Sequence, residues 1–282
     1  MPYTPTIGGR QLARELRDLR EQSGLTGEQA AAAIGWEQSK ISRMENAKMR
    51  ITSGEVMELC EAYGIDGDER NRLVHIARNS RQRDWWHEYA DLVKKGFIDY
   101  LAFEAEAVIS RGYEVQVIPG VFQTEEYARA LFQSSQRRKQ EDVDRGVELR
   151  LARQKRITAT DDPLNVWAVI DEAVLHRVVG SPAVMQGQLE RLLELGELPN
   201  VSIQVLPFQA GIHAALDGPF VILTFEDYPD LLYIEHLMGC VYLEKASETA
   251  RGNLIFDHLR SAALNTSDTT ALIREQVKKI SS

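Results

Sequence analysis

The stretch GWEQSKISRMENAKMR, residues 35–50, decides how the N-terminal part of this sequence folds. Placed on a helix at about 100° per residue, residues 38–47 direct Ile41 and Met44 to one side. The opposite side carries side chains that can all donate hydrogen bonds: Gln38, Ser39, Ser42, Arg43 and Asn46. A merely solvated helix more often shows Glu and Lys pairs, whereas Gln and Arg can bind the edges of adenine and guanine. The pattern therefore indicates a helix that enters the major groove of DNA.

The residues before this stretch support the same interpretation. Thr26 and Gln29 have the spacing of a capping box, and an alanine-rich helix follows them up to Gly35. This order of helix, glycine turn and helix over residues 26–46 is typical of a helix-turn-helix. We predict base contacts from Gln38, Ser39, Ser42 and Arg43. Phosphate contacts are predicted for a wider set of polar and basic residues: Arg10, Gly27, Gln29, Lys40, Asn46, Lys48 and Arg50.

The first helix carries an arginine row that admits two interpretations. Arg10, Arg14, Arg17 and Arg20 recur at spacings of four, three and three, opposite a leucine stripe. They can bind phosphates, but they alternate with acidic residues and equally fit an ordinary solvated face. The helix by itself leaves both open.

Charge is distributed unevenly along the 282 residues. Residues 1–83 carry 13 basic and 12 acidic residues, whereas the remainder carries 20 and 30. The negative total therefore does not argue against a nucleic-acid-binding N-terminal part. The sequence lacks an apolar run long enough for a membrane span and the apolar core of a signal peptide, so we expect a cytoplasmic, nucleoid-associated protein. Cys60 and Cys240 lack metal-ligand spacing, and no metal site is expected.

The pattern of elements predicts two domains. Five short helices occupy residues 1–83, a connecting segment follows at 84–103, and residues 104–282 form an α+β domain with a mostly antiparallel sheet. Strand-like runs lie at 113–120, 164–171, 201–208, 219–225 and 231–244. Helical patterns lie at about 123–132, 141–157, 182–195, 245–261 and 268–280. No helix separates the runs near 201–243, which favours antiparallel pairing there.

The segment LRDLREQSGLTGEQAAAAIGWEQSKISRMENAK resembles the XRE, or Cro/repressor, class of helix-turn-helix domains. The resemblance implies that the start of the third helix touches bases and that Arg20 pairs with Glu45. Three positions depart from the family pattern. Gly27 replaces a frequent Gln, Glu37 replaces a capping Ser or Thr, and Ala47 replaces a frequent Gly, so that Asn46 is expected to take the left-handed turn.

Further blocks, among them YEVQVIPGVFQTEEYARAL and PNVSIQVLPFQAGIHAALDGPFVILTFED, resemble a particular set of regulators. These are the antitoxin-like XRE transcriptional regulators of actinobacteria, which carry a C-terminal domain of unknown function. The resemblance implies a regulator of development or specialised metabolism, often paired with a small protein encoded nearby. It implies no known chemistry for the second domain.

The C-terminal domain offers little sign of catalysis. Glu172 and His176 lie four residues apart, and His213 lies in a glycine-containing loop, but no recognised catalytic, phosphate-binding or dinucleotide motif is present. We therefore predict no catalytic residue, no cofactor and no enzymatic activity.

A sensor that receives a small-molecule or a protein signal is the better prediction for this domain. Its candidate pocket is lined by Trp167, Phe208, His213 and Phe220, although ordinary core packing explains such aromatic residues as well. Three hypotheses stand: a homodimeric regulator of double-stranded DNA whose C-terminal domain dimerises and receives a signal; an antitoxin-like protein that sequesters a small partner and represses its own operon; and an enzyme fused to a DNA-binding module.

Overall fold

The computed structural model describes residues 5–79, 85–89, 91–93, 96–134, 139–226 and 228–281. The chain forms two compact units, one from residues 1–87 and 98–106 and the other from residues 88–97 and 107–282. The first unit thus includes a helix that falls mostly in the predicted connecting segment. The exact domain boundaries stay predictions.

The described residues of the first unit form helices joined by turns, and they contain no strand. Its helices are α1 (Ile7–Gln22), α2 (Gly27–Ala33), α3 (Gln38–Glu45), α4 (Ser53–Tyr63), α5 (Gly67–Asn79) and α6 (Phe97–Glu106), with a short 3-10 helix at Trp85–Tyr89. Helices α1 to α5 follow the predicted order. The sequence pattern extended the fifth helix to residue 83, and residues 80–83 lie outside the described part of the chain.

Threonine caps fix where three of these helices begin. Thr6, Thr26 and Thr52 each accept a hydrogen bond from a backbone N–H in the first turn. Apolar residues at helical spacing then bury one face of each helix in a common core, which includes Leu12, Leu16, Ala30, Ile41, Met44, Val56, Leu59 and Leu73. Caps and core together set the relative positions of α2 and α3.

Helix α6 packs against the beginning of α1. Arg10 forms an ion pair with Asp99 at 3.1 Å, and its guanidinium lies 5.0 Å from the ring centroid of Phe103. The backbone N–H of Ile7 donates to Glu106 Oε1 at 3.3 Å. These contacts make α6 a part of the helical unit.

The second unit combines a sheet with helices. Its strands are β1 (Ile109–Glu114), β2 (Asn165–Asp171), β3 (Val201–Leu206), β4 (Phe220–Thr224), β5 (Leu231–His236) and β6 (Gly239–Leu243). Its helices are α7 (Glu125–Ser134), α8 (Gln140–Gln154), α9 (Glu172–His176), α10 (Pro182–Leu195), α11 (Ala246–Ala262) and α12 (Thr266–Ile280). The α+β class is confirmed.

The six strands form one sheet in the order β3-β2-β1-β4-β5-β6. Strands β1, β2 and β3 run parallel, and β1–β4, β4–β5 and β5–β6 pair antiparallel. The mostly antiparallel sheet was therefore predicted correctly, but β3 was misjudged. It pairs in parallel with β2, because the chain between these two strands crosses over through α9 and α10, and it does not pair with β4, which lies beyond β2 and β1 in the sheet.

Strand β1 lies earlier than predicted. Strand β1 ends at Glu114, so most of the predicted strand at 113–120 lies outside the sheet. The backbone of Ile118 instead bonds to side chains: its N–H donates to Tyr127 Oη at 3.2 Å, and its carbonyl accepts from Gln123 Nε2 at 2.7 Å. Since these partners satisfy the N–H and carbonyl groups of Ile118, this residue stays buried without pairing as a strand.

Helix α11 covers one face of the sheet. Its residue Gly252 lies directly over Leu232 and Ile222, and Phe256 is fully buried in the same cluster. The register places Tyr113, Val169 and other buried residues on this face. The face therefore positions the ends of β1 and β2 beside the loop at 207–219.

Candidate nucleic-acid interface

The turn between α2 and α3 is set by local chemistry. Thr26 Oγ1 accepts from the Gln29 N–H at 3.2 Å, and Gln29 Oε1 accepts from the Thr26 N–H at 2.8 Å, so the predicted capping box is present. Gly35 has a φ of 69°, a conformation that glycine adopts without strain. These features produce the helix-turn-helix connection that brings α3 next to α2.

Helix α3 buries one side and exposes the other. Ile41 and Met44 are each 1% exposed and belong to the helical core. Gln38, Ser39 and Arg43 are exposed, and Ser42 is half-buried. Their contact with bases stays a prediction, but all four side chains lie away from the core of the unit.

The exposed side chains of α3 make few contacts within the protein. The Ser39 hydroxyl donates to Glu37 Oε2 at 3.2 Å, and Arg43 Nε donates to the Ser39 carbonyl at 3.4 Å. Within the described residues, Arg43 forms no ion pair. The guanidinium therefore keeps donors available for a ligand such as a guanine edge.

The residues predicted to bind phosphates fall into two groups. Lys48 and Arg50 are exposed, and no described residue forms an ion pair with either. Lys40 instead pairs with Glu55 at 2.9 Å and lies 3.5 Å from the ring centroid of Trp36. Burial would raise the pKa of Glu55, but hydrogen bonds from Lys40 and Thr52 lower it. Lys40 thus ties α3 to α4.

The remaining phosphate candidates also have internal partners. Arg10 contacts α6, as described above, and Gln29 completes the capping box. Asn46 Nδ2 donates to the Ser42 carbonyl at 2.7 Å, within its own helix turn. Gly27 is the first residue of α2 and offers only its backbone N–H. The structure therefore favours Lys48 and Arg50 over the other members of this set.

Arg20 and Glu45 form the ion pair that the resemblance implied. Arg20 Nε and Nη2 donate to the two oxygens of Glu45 at 2.6 and 3.0 Å, and Nη1 donates to the Leu25 carbonyl at 2.7 Å. The hydrogen bond to Glu45 raises the pKa of Arg20, against the effect of burial. Because both side chains are nearly buried, the pair joins α1 to α3 and is not available to DNA.

The end of α3 differs from the prediction. Asn46 was expected to adopt the left-handed conformation, but its φ is −96°, and Ala47 has a φ of 49°. The N–H of Lys48 then reaches the Arg43 carbonyl at 2.8 Å. Closing the helix with this hydrogen bond requires the left-handed residue at position 47, which is where the family pattern has glycine.

In the second unit, the structure divides the predicted pocket residues into separate groups. His213 and Phe220 both lie against Tyr113, whose hydroxyl is 3.2 Å from His213 Nε2. Trp167 packs edge-on against Phe256 and donates to Gln204 Oε1 at 2.8 Å. Phe208 stacks on His176 with ring centroids 5.8 Å apart and is 56% exposed. Trp167, His213 and Phe220 thus adjoin one apolar cluster that includes Tyr113 and Phe256, whereas Phe208 contacts His176, and a pocket lined by all four stays a prediction.

Two sequence comparisons identify the parts of the chain. A family described as "Domain of unknown function (DUF5753)" matches residues 97–275, well over half of the chain. The chain belongs to the DUF5753 family. A family described as "Helix-turn-helix domain" matches residues 11–73, which contain α2 and α3. The chain thus joins a helix-turn-helix domain, which supports DNA binding and transcription regulation, to a DUF5753 domain. None of the curated proteins matches this sequence.

The DUF5753 domain holds its long loop in place through polar contacts that the sequence did not suggest. Tyr113 Oη lies 3.3 Å from Asp171 Oδ2, and Asp171 Oδ1 accepts from the Ala173 N–H at 2.9 Å. His213 Nδ1 accepts from the Ala215 N–H at 3.3 Å, so Nε2 carries the proton and donates to Tyr113. Tyr113 was not singled out in advance, although it began a predicted strand.

A second contact fixes the same loop of the DUF5753 domain. Glu172 Oε2 accepts from the Phe208 N–H at 2.8 Å, and Glu172 Oε1 lies 3.4 Å from His176 Nε2. Within the described residues, no group of three or more His, Cys, Asp or Glu side chains is arranged to hold a metal ion. None of the described helices has the length and apolar character needed to span a membrane.

Proposed function

We propose that this protein is a sequence-specific transcriptional regulator that binds double-stranded DNA as a homodimer. The observation that carries the proposal is the division of α3 into two sides. Ile41 and Met44 anchor the helix, and the exposed Gln38 and Arg43 are not used in the core. Side chains of these types at the start of such a helix match the hydrogen-bonding groups of major-groove base edges.

We infer a homodimer because the contact between one α3 helix and DNA is small. One recognition helix contacts only a few base pairs, and helix-turn-helix proteins reach specificity by binding two half-sites about one helical turn apart. We assign dimerisation and the reception of a small-molecule or protein signal to the DUF5753 domain. DNA as the target would place the protein at the nucleoid, in the cytoplasm.

We further propose that the DUF5753 domain acts by binding and not by catalysis, without a cofactor. Of the two histidines considered above, His213 bonds through both ring nitrogens, to Tyr113 and to the Ala215 N–H, and His176 bonds through Nε2 to Glu172. A histidine whose ring nitrogens are both engaged by neighbouring groups is poorly placed to transfer protons to a substrate. Measured turnover that disappears on replacing His213 would contradict this part.

The proposal is tested by selecting genomic fragments with the purified full chain at near-physiological salt. We expect enrichment of a palindromic or directly repeated motif whose spacing reports the half-sites. Arg43→Ala should lose the motif, and Arg274→Ala should keep it, because Arg274 is an exposed arginine on α12 of the other unit. Failure of the wild-type protein to enrich any motif would overturn the proposal.

An antitoxin-like protein is the second candidate. Residues 84–282 carry 30 acidic and 20 basic residues, which suits a small basic partner encoded nearby. The loop of the DUF5753 domain also exposes Phe208, Ile212 and Leu216. Co-expression with small neighbouring gene products, followed by purification at two salt concentrations, tests it. We expect a complex that weakens at high salt and on replacing Ile212 by Ser; no complex at either salt would reject this candidate.

A further inference from the structure

The residue before α3 has a side chain that does not cap the helix. Glu37 occupies the N-cap position with φ −82° and ψ 140°, but its side chain accepts no hydrogen bond from a backbone N–H of the first turn. The neighbouring helices α2 and α4 both begin with a threonine capping box. The exposed side chain of Glu37 at the start of α3 therefore does not act as a helix cap.

Glu37 instead controls the hydroxyl of Ser39. The Ser39 hydroxyl and Glu37 Oε2 are 3.2 Å apart, and a carboxylate can only accept, so the serine must donate its proton. The lone pairs of Ser39 Oγ are left for another donor. The carboxylate also keeps acceptor capacity, because within the described residues Glu37 has no ion-pair partner. The two side chains form what we call the acceptor pair, Glu37 and Ser39.

An acceptor pair is chemically selective in the major groove. The donors on base edges there are the exocyclic amino groups of cytosine and adenine, whereas guanine and thymine present acceptors. Adenine places its N7 acceptor beside the amino group, which opposes a second acceptor from the protein. Cytosine presents its amino group alone, and the one amino hydrogen that base pairing leaves free can be shared by the two acceptors, so cytosine fits the pair better.

We propose that Glu37 and Ser39 together read the amino group of one cytosine in each half-site. This inference rests on the proposed function, since it requires α3 to lie in the major groove. It adds a specificity-determining residue, Glu37, and it changes the role of Ser39 from a hydrogen-bond donor to an acceptor. It does not depend on the helix dipole, because the selectivity comes from the two side chains.

The competing explanation is that Glu37 only repels phosphates. Repulsion acts on every DNA sequence alike and changes the salt dependence, whereas base reading changes the preference at one base pair. The two effects are separable with Glu37→Gln, which has nearly the same shape, loses the charge and gains a donor. Glu58→Gln is a matched control, because Glu58 is an exposed glutamate on α4 of the same unit.

The experiment measures the affinity of the full chain for duplexes that differ at one base pair of the selected half-site. For the wild-type protein we expect one position at which cytosine is preferred by about tenfold or more. Glu37→Gln should reduce that preference to about threefold or less, and Ser39→Ala should reduce it at the same position. Glu58→Gln should leave it unchanged. Circular dichroism confirms that each variant is folded.

The possible results are distinguishable. If Glu37→Gln tightens binding to all duplexes by one factor and keeps the cytosine preference, the acceptor pair is wrong and the proposed function survives. If Ser39→Ala alters a different position from Glu37→Gln, the two side chains do not act as a pair and the inference fails. If the wild-type protein shows no preferred base anywhere, both the inference and the proposed function fail.

Discussion

Helix α3 and the loop at 207–219 both carry polar side chains at an exposed surface, but they use them differently. On α3, Gln38 and Arg43 are exposed, and within the described residues Arg43 bonds only to the Ser39 carbonyl of its own helix. In the loop, His213 is held by Tyr113, and Phe208 by Glu172 through its backbone. Polar groups that stabilise the fold are not available to a ligand, so the comparison supports the proposal that recognition lies on α3, and it gives the polar groups of the loop a structural role.

Variants of two arginines in the helical unit test most strongly the distinction between polar groups that stabilise the fold and exposed ones that do not. Arg20→Ala leaves Glu45 buried without its partner, and we expect the free energy of unfolding of this unit to fall by about 3–5 kcal/mol. Arg17→Ala is the control, because its ion pair with Glu21 is half exposed and contributes little. Denaturant unfolding of both variants measures the difference. Equal losses would contradict the structural role of the Arg20–Glu45 pair.

The Glu114 carboxyl makes the stability of the DUF5753 domain depend on pH. Burial raises the pKa of Glu114 to about 7, and nearby Glu235 adds to the shift while Arg150 and Arg153 act against it. In the unfolded chain this carboxyl has a pKa of about 4.5. The folded domain therefore keeps a proton that the unfolded chain loses between these two pH values.

The sign of the effect follows from this difference. The stabilisation is fully present below about pH 4.5 and is lost as pH rises through about 7. We therefore expect the free energy of unfolding of this domain to fall by about 1–3 kcal/mol over that range. Urea unfolding at several pH values measures it. Glu114→Gln should remove most of the slope, and a slope that persists in this variant would assign it to other groups.

Recognition by α3 is tested with variants that leave stability unchanged. Arg43→Ala and Gln38→Ala should each lower discrimination at one base pair by about 1–3 kcal/mol. Lys48→Ala should weaken binding to all sequences and flatten the salt dependence, because a phosphate contact reads no base. Binding measured on matched duplexes at several salt concentrations separates the two classes. If all three variants behaved alike, the orientation of α3 in the groove would be wrong.

The loop of the DUF5753 domain is tested through Tyr113. Tyr113→Phe leaves Asp171 and His213 without the hydroxyl that joins them, at a cost of about 1–2 kcal/mol. We expect faster proteolytic cleavage within residues 207–219. His176→Ala should have a smaller effect, because the bond from the Phe208 N–H to Glu172 remains. An unchanged cleavage rate in Tyr113→Phe would show that the loop is held by other contacts.

The sequence predicted those parts of the fold that depend on local rules. Helix α10 has the predicted ends, residues 182–195, because Ser181 caps it and Pro182 begins it. Strand β1 and the pairing of β3 were misplaced, since both depend on distant partners. Ile118 leaves the sheet only because Tyr127 and Gln123 satisfy its peptide groups, and no local pattern shows that.

In the candidate site, too, the contacts with distant segments could not be predicted from the sequence. The exposed and buried sides of α3 followed from helical spacing alone, so Gln38, Ser39 and Arg43 lie where expected. The internal partners of Arg10 and Lys40 did not follow, because Asp99 and Glu55 come from helices further along the chain. Phe208 lies apart from the other predicted pocket residues for a similar reason, since it stacks on His176, which comes from a distant segment.

The smallest expected effect concerns the end of α3, where the prediction was wrong. Ala47 is held at a φ of 49°, a conformation that disfavours any side chain with a Cβ atom. Ala47→Gly removes this strain but adds freedom to the unfolded chain, so we expect a net gain of about 0.5–1 kcal/mol in the free energy of unfolding. Ala32→Gly is the matched control inside α2, where the same change should lower stability by about 1 kcal/mol. If thermal unfolding shows a gain of stability for Ala47→Gly and a loss for Ala32→Gly, the left-handed residue is Ala47. Equal losses of stability in the two variants would assign the left-handed conformation to Asn46.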